Sequence, residues 1–214
     1  MNREVAARMI GAGKSAGADF VEIYEEETRS SALSLKDRAI ETASAGTEFG
    51  IGVRLLYGTE VLYAYTSEEN PDALVQMVRV LAFGRGNADA SPVSLSVPSV
   101  LSSIDPLNFK DPRKLGQSYK LDFLHAADDS ARKTSPRIVQ VAASLSDDVT
   151  HVEIYNSEGL AIAHSHCHTR IGINVTASDG TERIVSREAP GALGGYEVID
   201  AYDPAALAAS AAER

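Results

Sequence analysis

Alternation of apolar and polar positions is clearest between residues 48 and 67 of the chain. From residue 50 to residue 55 the sequence GIGVRL places every second residue on one apolar face, which is the period of a strand with one buried side. A second apolar run at residues 61–65 follows a short connection, so this stretch predicts a β-hairpin. Gly50 and Gly52 add no packing within a strand, which indicates either a group close to the backbone or a bulge in a twisted sheet.

The remaining periods predict further helices and strands. Helical spacing of apolar residues predicts a first helix over residues 2–16. Asn-Pro or Asp-Pro pairs combine an N-cap side chain with a proline at the first helical position, and they predict helices that begin at residues 70, 111 and 203. We therefore expect an α+β fold in which antiparallel sheets form a meander flanked by helices. The predicted strands, besides those of the hairpin, cover residues 18–27, 31–35, 39–45, 138–145, 151–155, 160–177 and 182–187.

Two interruptions divide this pattern. Residues 85–110 contain three prolines and no sustained period, which is typical of a surface connection or of extended edge pieces. We predict a domain over residues 1–188, with sub-parts 1–84 and 111–188 on either side of the connection. Residues 189–214 are glycine-rich and then open a helix where the chain ends, so we expect a linker and the start of a next domain in a polypeptide that originally continued.

Charge and composition exclude some classes of partner. The formal net charge is −10, and no cluster of Lys and Arg is present to neutralise phosphates, which argues against nucleic acid and anionic membranes as partners. No apolar run approaches the ~20 residues that span a bilayer, and the amino terminus is too polar for a signal sequence. A single cysteine, Cys167, fits a reducing compartment. We expect a cytoplasmic protein.

Three histidines provide the most visible candidate for metal chemistry. His164, His166 and His168 alternate along one predicted strand, so their rings project from one face, and neutral imidazoles suit Zn or Ni. The alternative interpretation, which the sequence favours, is a row of polar strand histidines, because no acidic or cysteine ligand is placed beside them. Cys167 points to the opposite, apolar face and is expected to be a small buried residue.

Two arginines within otherwise apolar strands are candidate binding residues. Arg54 and Arg170 are each either a structural ion-pair partner or a contact for a bound carboxylate or peptide carbonyl. The pattern of the strands does not separate these alternatives.

Several stretches, taken in order, resemble the amino-terminal region of the TldD/PmbA family. The resemblance extends over essentially the whole chain, and the SSIDPL stretch makes it closer to the TldD branch than to the PmbA (TldE) branch. The strand that bears Arg170 belongs to the same ordered set. The other stretches are GADFVEIYEEE, GIGVRLLYG, SSIDPL, VQVAASLSDDVTHVEIYNSEG and APGALGGYE.

The resemblance implies an intracellular zinc metallopeptidase that trims or degrades unfolded peptides and works as a dimer of identical or paralogous subunits. The family is also linked to peptide-antibiotic maturation, antitoxin turnover and modulation of DNA gyrase. Its zinc is held by an HExxxH helix and a distal cysteine, and this sequence contains no HExxxH. We therefore expect no catalytic residue and no cofactor in this chain, and no hydrolysis by it alone.

Two functions are consistent with these expectations. The first is an amino-terminal domain that encloses the peptide substrate and contacts the second subunit of a TldD-like peptidase. The second is a free-standing, non-catalytic protein that binds peptides or has a structural role. In the first case, sheet edges would bind an extended peptide through its main chain. The predicted peptide-binding residues are Gly50, Gly52, Arg54, Arg170, Gly194, Gly195 and Tyr196.

Overall fold

A computed structural model describes residues 1–84, the backbone of residues 101–104, and residues 109–213. The helices and strands form in an order that confirms the predicted α+β class. None of the described helices is both long and apolar enough to cross a membrane. In chain order the elements are α1 (Arg3–Ser15), β1 (Phe20–Lys36), β2 (Ala39–Tyr57), β3 (Glu60–Thr66), α2 (Pro71–Phe83), β4 (Leu101–Ile104), a short 3-10 helix (Pro112–Lys114), α3 (Gln117–Thr134), β5 (Ile138–Asn156), β6 (Ala161–Ser178), β7 (Arg183–Glu188), β8 (Gly191–Leu193), α4 (Glu197–Asp200) and α5 (Pro204–Glu213).

The first of two compact units comprises residues 1–28, 48–105 and 150–165. Its strands follow the order β3-β2-β1-β5-β6-β4. The hairpin of β2 and β3 is antiparallel from the pair Ile51–Thr66 to the pair Tyr57–Glu60, as the alternation predicts. By contrast, β4 runs parallel to β6.

Helices α1 and α2 cover one face of this sheet, because the alternation of β1 and β2 turns their apolar residues to that side. Asn2 and Asn70 cap the two helices, and the Asn70 side chain accepts hydrogen bonds from the amides of Asp72 and Ala73. A Cβ atom at Gly13 would lie 2.7 Å from the Val21 side chain, so glycine allows α1 to approach β1 closely. The core includes Val5, Met9, Ile10, Val21, Ile23, Ile51, Val53, Leu55, Leu74 and Val78.

The second compact unit comprises residues 29–47, 106–149 and 166–214. It contains the other parts of the long strands β1, β2, β5 and β6, and β7 and β8 both pair with β6. Strands β1 and β2 are joined at Asp37 and Arg38, whose φ angles are +49° and +70°, as in the tight turns typical of hairpins. Helices α3 and α5 pack against each other, and the core includes Leu33, Leu35, Phe123, Leu124, Ala127, Val141, Leu145, Ile171, Ile173, Val175, Tyr196, Ile199 and Ala208.

The strands are longer than their apolar runs predict. The prediction placed separate strands at residues 31–35 and 39–45, but β1 has 17 residues and β2 has 19. Likewise β5 is one strand across the polar residues Asp147 and Asp148. Backbone pairing with neighbouring strands continues through polar positions, so loss of the apolar period does not end a strand.

One predicted helix also differs from the structure. The helix predicted from Asp111 is a single 3-10 turn, and α3 begins only at Gln117. Residues 191–213 contain β8, α4 and α5, and the role of residues 189–214 as a linker and the start of a next domain stays a prediction. The predicted connection at residues 85–110 lies mostly outside the described residues, and of the SSIDPL stretch at residues 102–107 only the backbone of residues 102–104 is described.

Candidate functional site

A groove in the first unit lies on the sheet face opposite α1 and α2. It has a volume of about 290 Å³ and is lined by Tyr24, Glu26, Glu48, Phe49, Gly50, Ile51, Gly52, Tyr63 and Tyr65. The alternation of the strands builds it: residues 51, 53 and 55 of β2 are buried, so residues 48, 50 and 52 turn to the groove. In the hairpin register, Gly52 is opposite Tyr65 and Arg54 is opposite Tyr63, which places both tyrosines on the same face.

The two predicted glycines have different surroundings in this groove. A Cβ atom at Gly52 would lie 2.7 Å from the Tyr63 hydroxyl oxygen, so the group that approaches the backbone there belongs to the same chain. At Gly50 the nearest atom to a Cβ would be the Thr66 carbonyl oxygen at 3.8 Å. The space next to the Gly52 backbone is thus occupied by Tyr63, whereas the space next to Gly50 is open and forms the floor of the groove.

Some charged side chains on this face have an ion-pair partner within the described chain and others do not. Arg54 forms an ion pair of 2.8 Å with Glu22 on β1. Glu26 instead accepts hydrogen bonds from the Tyr24 hydroxyl at 2.5 Å and from the Thr28 hydroxyl at 3.1 Å. Burial, together with the bond to Glu26 and the charge of that carboxylate, raises the pKa of Tyr24 to about 12. Within the described part of the chain, neither Glu26 nor Glu48 has a cationic partner.

The second unit has its own groove of about 450 Å³ beside β6 and the segment 189–193, and it includes Arg170 and Arg187 in its lining. Arg170 donates a hydrogen bond of 2.8 Å to Asp148. Although burial opposes it, hydrogen bonds from Ser30 and Arg170 hold the pKa of Asp148 below its ordinary value. Both arginines predicted as binding residues, Arg54 and Arg170, are therefore structural ion-pair partners, and any ligand contact by them stays a prediction.

The glycine-rich segment with Gly194, Gly195 and Tyr196 is bound to other parts of the second unit. The Tyr196 amide donates to the Lys110 carbonyl at 2.9 Å, and the Gly194 amide donates to the Cys167 carbonyl at 2.7 Å. The ring of Tyr196 is 2% exposed and stacks on Tyr119 with 5.1 Å between ring centroids. The amides of Gly194 and Tyr196 and the ring of Tyr196 are therefore engaged within the chain. Contact of Gly194, Gly195 and Tyr196 with a peptide stays a prediction.

The histidine strand does not form a metal site in the described residues. His166 and His168 are half-buried, and their rings meet edge to face with 5.2 Å between centroids. No group of three or more His, Cys, Asp or Glu side chains within residues 1–84 and 109–213 is arranged to hold a metal ion. The residues described here therefore do not fit a zinc ion of the kind that the family resemblance implies.

Cys167 is buried, as predicted, and its thiol should be unreactive in the folded chain. Burial raises the pKa of Cys167 to about 12, and the charges of Asp147, Glu197 and Asp111 add to this, while a hydrogen bond involving Thr169 opposes it. We expect an aromatic disulfide reagent at pH 8 to label the native chain slowly and the urea-unfolded chain at once. The absorbance of the thiolate released from the reagent measures the labelling. Equal labelling rates in both states would contradict this placement.

The sequence prediction missed the aromatic and acidic residues of the first groove. Tyr24 and Glu26 continue the alternation of β1, and Tyr63 and Tyr65 continue that of β3. Extending the two-residue period outward from the buried positions would have placed all four on one face. Glu48 lies two residues before Gly50 and therefore on the same face as the predicted glycines. Its position was the clearest sign in the sequence that this face carries an acidic side chain.

Comparison with known proteins identifies relatives for both halves of the chain. Residues 21–83 match the family model described as PmbA/TldA metallopeptidase domain 1, and residues 110–214 match the model described as the PmbA/TldA metallopeptidase central domain. A metalloprotease TldD homolog of Haemophilus influenzae is 26% identical in an alignment of 204 residues that covers 92% of this chain and 42% of the relative. A metalloprotease of Synechocystis is 27% identical in an alignment of 188 residues that covers 87% of this chain and 40% of the relative.

Solved structures show the same fold. A structure from Thermotoga maritima, described as a modulator of a DNA gyrase, aligns with a TM-score of 0.75 at 19% identity and covers 99% of this chain and 47% of the other. TldE from Thermococcus kodakarensis aligns with a TM-score of 0.66 at 16% identity and covers 98% of this chain and 46% of the other. The chain thus spans less than half the length of these relatives. Since two successive domain models of one family match in order, the chain belongs to the PmbA/TldD family.

Proposed function

We propose that this chain is the amino-terminal part of a TldD-like metallopeptidase, which encloses unfolded peptides and contacts a second subunit. Its two matched domains support this role, because the curated relatives are named metalloproteases and are more than twice as long as the matched region. Zinc-dependent hydrolysis would then require residues outside this chain, and the chain by itself would bind peptides without cleaving them.

The observation that carries the peptide-binding proposal is the exposed edge strand of the second unit. Every residue of β2 from Ala39 to Thr47 is exposed. On one side β2 pairs with β1, and on the other side β3 pairs only with residues 51–57. No other described strand pairs with β2, so the backbone amides and carbonyls of residues 39–47 that face away from β1 have no strand partner within the described chain.

Such an edge suits an unfolded peptide. An extended chain can add to it as a further strand, and main-chain hydrogen bonds then provide most of the affinity. The side chains between residues 39 and 47 are mostly small, so they would obstruct few peptide sequences. Binding by this edge would accordingly tolerate many sequences, as enclosure of unfolded peptides requires.

Contact with a second subunit has separate support in the second unit. Ile184 and Val185 on β7 are 61% and 67% exposed, and β7 pairs with β6. Consecutive strand residues point to opposite faces of the sheet, so β7 exposes one large apolar side chain on each face, and such a side chain is suited to burial against another protein surface. The partner would be an identical or paralogous subunit, which size measurement of the chain with and without a paralogue would distinguish.

Proline scanning of the β2 edge tests the peptide-binding proposal. Successive N–H groups of an antiparallel strand point alternately to its two sides, so one of Ser44 and Ala45 points its N–H to β1 and the other points outward. Proline at the outward position should leave the unfolding free energy nearly unchanged and weaken peptide binding by about tenfold, because a main-chain donor is lost. Fluorescence anisotropy with a labelled unstructured peptide measures the affinity, and urea unfolding measures stability.

The two variants serve as controls for each other. Ser44→Pro and Ala45→Pro should divide into one that loses stability and one that loses affinity. If the stable variant binds the peptide as tightly as the parent chain, the β2 edge is not the binding surface.

A further inference from the structure

We propose that the groove of the first unit binds the cationic side chain of a peptide arginine or lysine, held between tyrosine rings and two carboxylates. This inference rests on the proposed function, because it adds a preference for positive charge to the binding of unfolded peptides. The groove is defined by Tyr24, Tyr63 and Tyr65 with Glu26 and Glu48, above the open backbone of Gly50.

The chemistry of the groove favours a cation with an apolar stem. Tyr63 and Tyr65 are 61% and 80% exposed, and Tyr24 is 39% exposed. Ring faces attract Lys and Arg cations within about 6 Å of the ring centroid. Glu26 and Glu48 add two negative charges, which no described cation neutralises. An anionic or purely apolar ligand would leave these carboxylates without compensation.

The same face already holds one guanidinium group of the chain itself. Arg54 lies on β2 two residues beyond Gly52 and forms its 2.8 Å ion pair with Glu22 on the neighbouring strand. Glu22 and Glu26 share a face of β1, as do Arg54 and Glu48 on β2. Glu22 is therefore neutralised from within the chain, whereas the Glu26 and Glu48 positions are left for a cation supplied by a ligand.

The size of the groove is suited to one side chain. Its volume of about 290 Å³ is at the lower limit of small-molecule sites, which range over ~300–1,000 Å³. Residues 48–50 of β2 also extend past the last pair with β3, Ile51–Thr66. A peptide strand could thus run beside these residues while one of its side chains enters the groove.

Matched peptides test this preference on the whole 214-residue chain. Two blocked, unstructured peptides would differ only in arginine or citrulline at one central position, which keeps the shape and removes the charge. We expect the arginine peptide to bind about fivefold to thirtyfold more tightly, given the usual strength of exposed cation–π contacts and ion pairs. A lysine and norleucine pair should show the same direction.

Variants of the groove identify where the preference arises. Glu48→Gln and Tyr65→Ala should lower the ratio of the two affinities toward one, with the citrulline peptide little affected. Glu69→Gln is the matched control, because Glu69 is an exposed carboxylate of the same unit outside the groove; it removes the same net charge and should leave the ratio unchanged. Circular dichroism would verify that each variant is folded.

Three results would overturn the inference, and the first two would leave the proposed function intact. Equal affinity for both peptides would refute the cation site while peptide binding stands. A ratio that Glu48→Gln and Tyr65→Ala leave unchanged would place the cation elsewhere on the chain. No binding of either peptide would overturn both the proposed function and this inference.

Discussion

Replacing Gly195 by alanine should destabilise the second unit by about 3 kcal/mol or more, because the added methyl group has no space. A Cβ atom at this position would lie far inside contact distance of the Lys110 carbonyl oxygen. That oxygen is fixed, since it accepts the 2.9 Å hydrogen bond from the Tyr196 amide. The Gly195 amide is also bound, to the Glu197 carboxylate at 2.7 Å. Urea unfolding followed by circular dichroism measures the loss.

Gly46→Ala is the matched control for this substitution. Gly46 belongs to the same unit, and a Cβ atom there would meet nothing within 4 Å. The control should be neutral or slightly stabilising, because alanine restricts the unfolded chain more than glycine does. An unfolding free energy of Gly195→Ala within 1 kcal/mol of the parent would show that the segment at Gly195 is not packed on Lys110.

Replacing Lys120 by methionine should cost about 3–5 kcal/mol, because it leaves a buried carboxylate without its cation. Lys120 is 1% exposed and Asp147 is 4% exposed, and the two form an ion pair. The Lys120 ammonium also donates a 2.6 Å hydrogen bond to the Ser31 hydroxyl oxygen and lies 5.8 Å from the centroid of the Tyr196 ring. The substitution keeps most of the apolar stem, so the measured loss reports on the charge.

Two companion variants separate this effect from simple loss of helix structure. Lys133→Met changes an exposed lysine of the same helix and should alter stability by no more than about 0.5 kcal/mol. Combining Lys120→Met with Asp147→Asn should recover part of the loss, because the unpaired charge is removed. A double variant that is less stable than the Lys120→Met variant by the full effect of Asp147→Asn would mean that the two side chains act independently.

Local patterns in the sequence were sufficient to predict the hairpin and the starts of α2 and α5, which follow an Asn-Pro and an Asp-Pro pair. The alternation around residues 51–55 has one buried face in the structure, and Asn70 caps α2 as its position before proline predicts. These features depend on residues close together in the chain. Strand length was not predictable in the same way, because β1 and β5 continue through polar residues by pairing with strands distant in sequence.

In the candidate site, too, features set by neighbouring residues could be predicted, whereas contacts between residues distant in the sequence could not. Gly50 and Gly52 line a groove, but the ring over Gly52 comes from Tyr63 on the next strand, and peptide contact by either glycine stays a prediction. Lys120 could have been found, since it precedes Phe123, Leu124 and Ala127 at helical spacing on the apolar stripe of α3. Its partner Asp147 could not, because the sequence gives no register between α3 and β5.

The most direct test of the proposed function is to incubate the 214-residue chain with a labelled unfolded peptide and zinc. Binding would be measured by anisotropy and cleavage by mass spectrometry of the same samples. We predict that the peptide binds at the β2 edge and remains intact, with and without the metal. Zinc-dependent cleavage by this chain alone, or the absence of any binding, would contradict it.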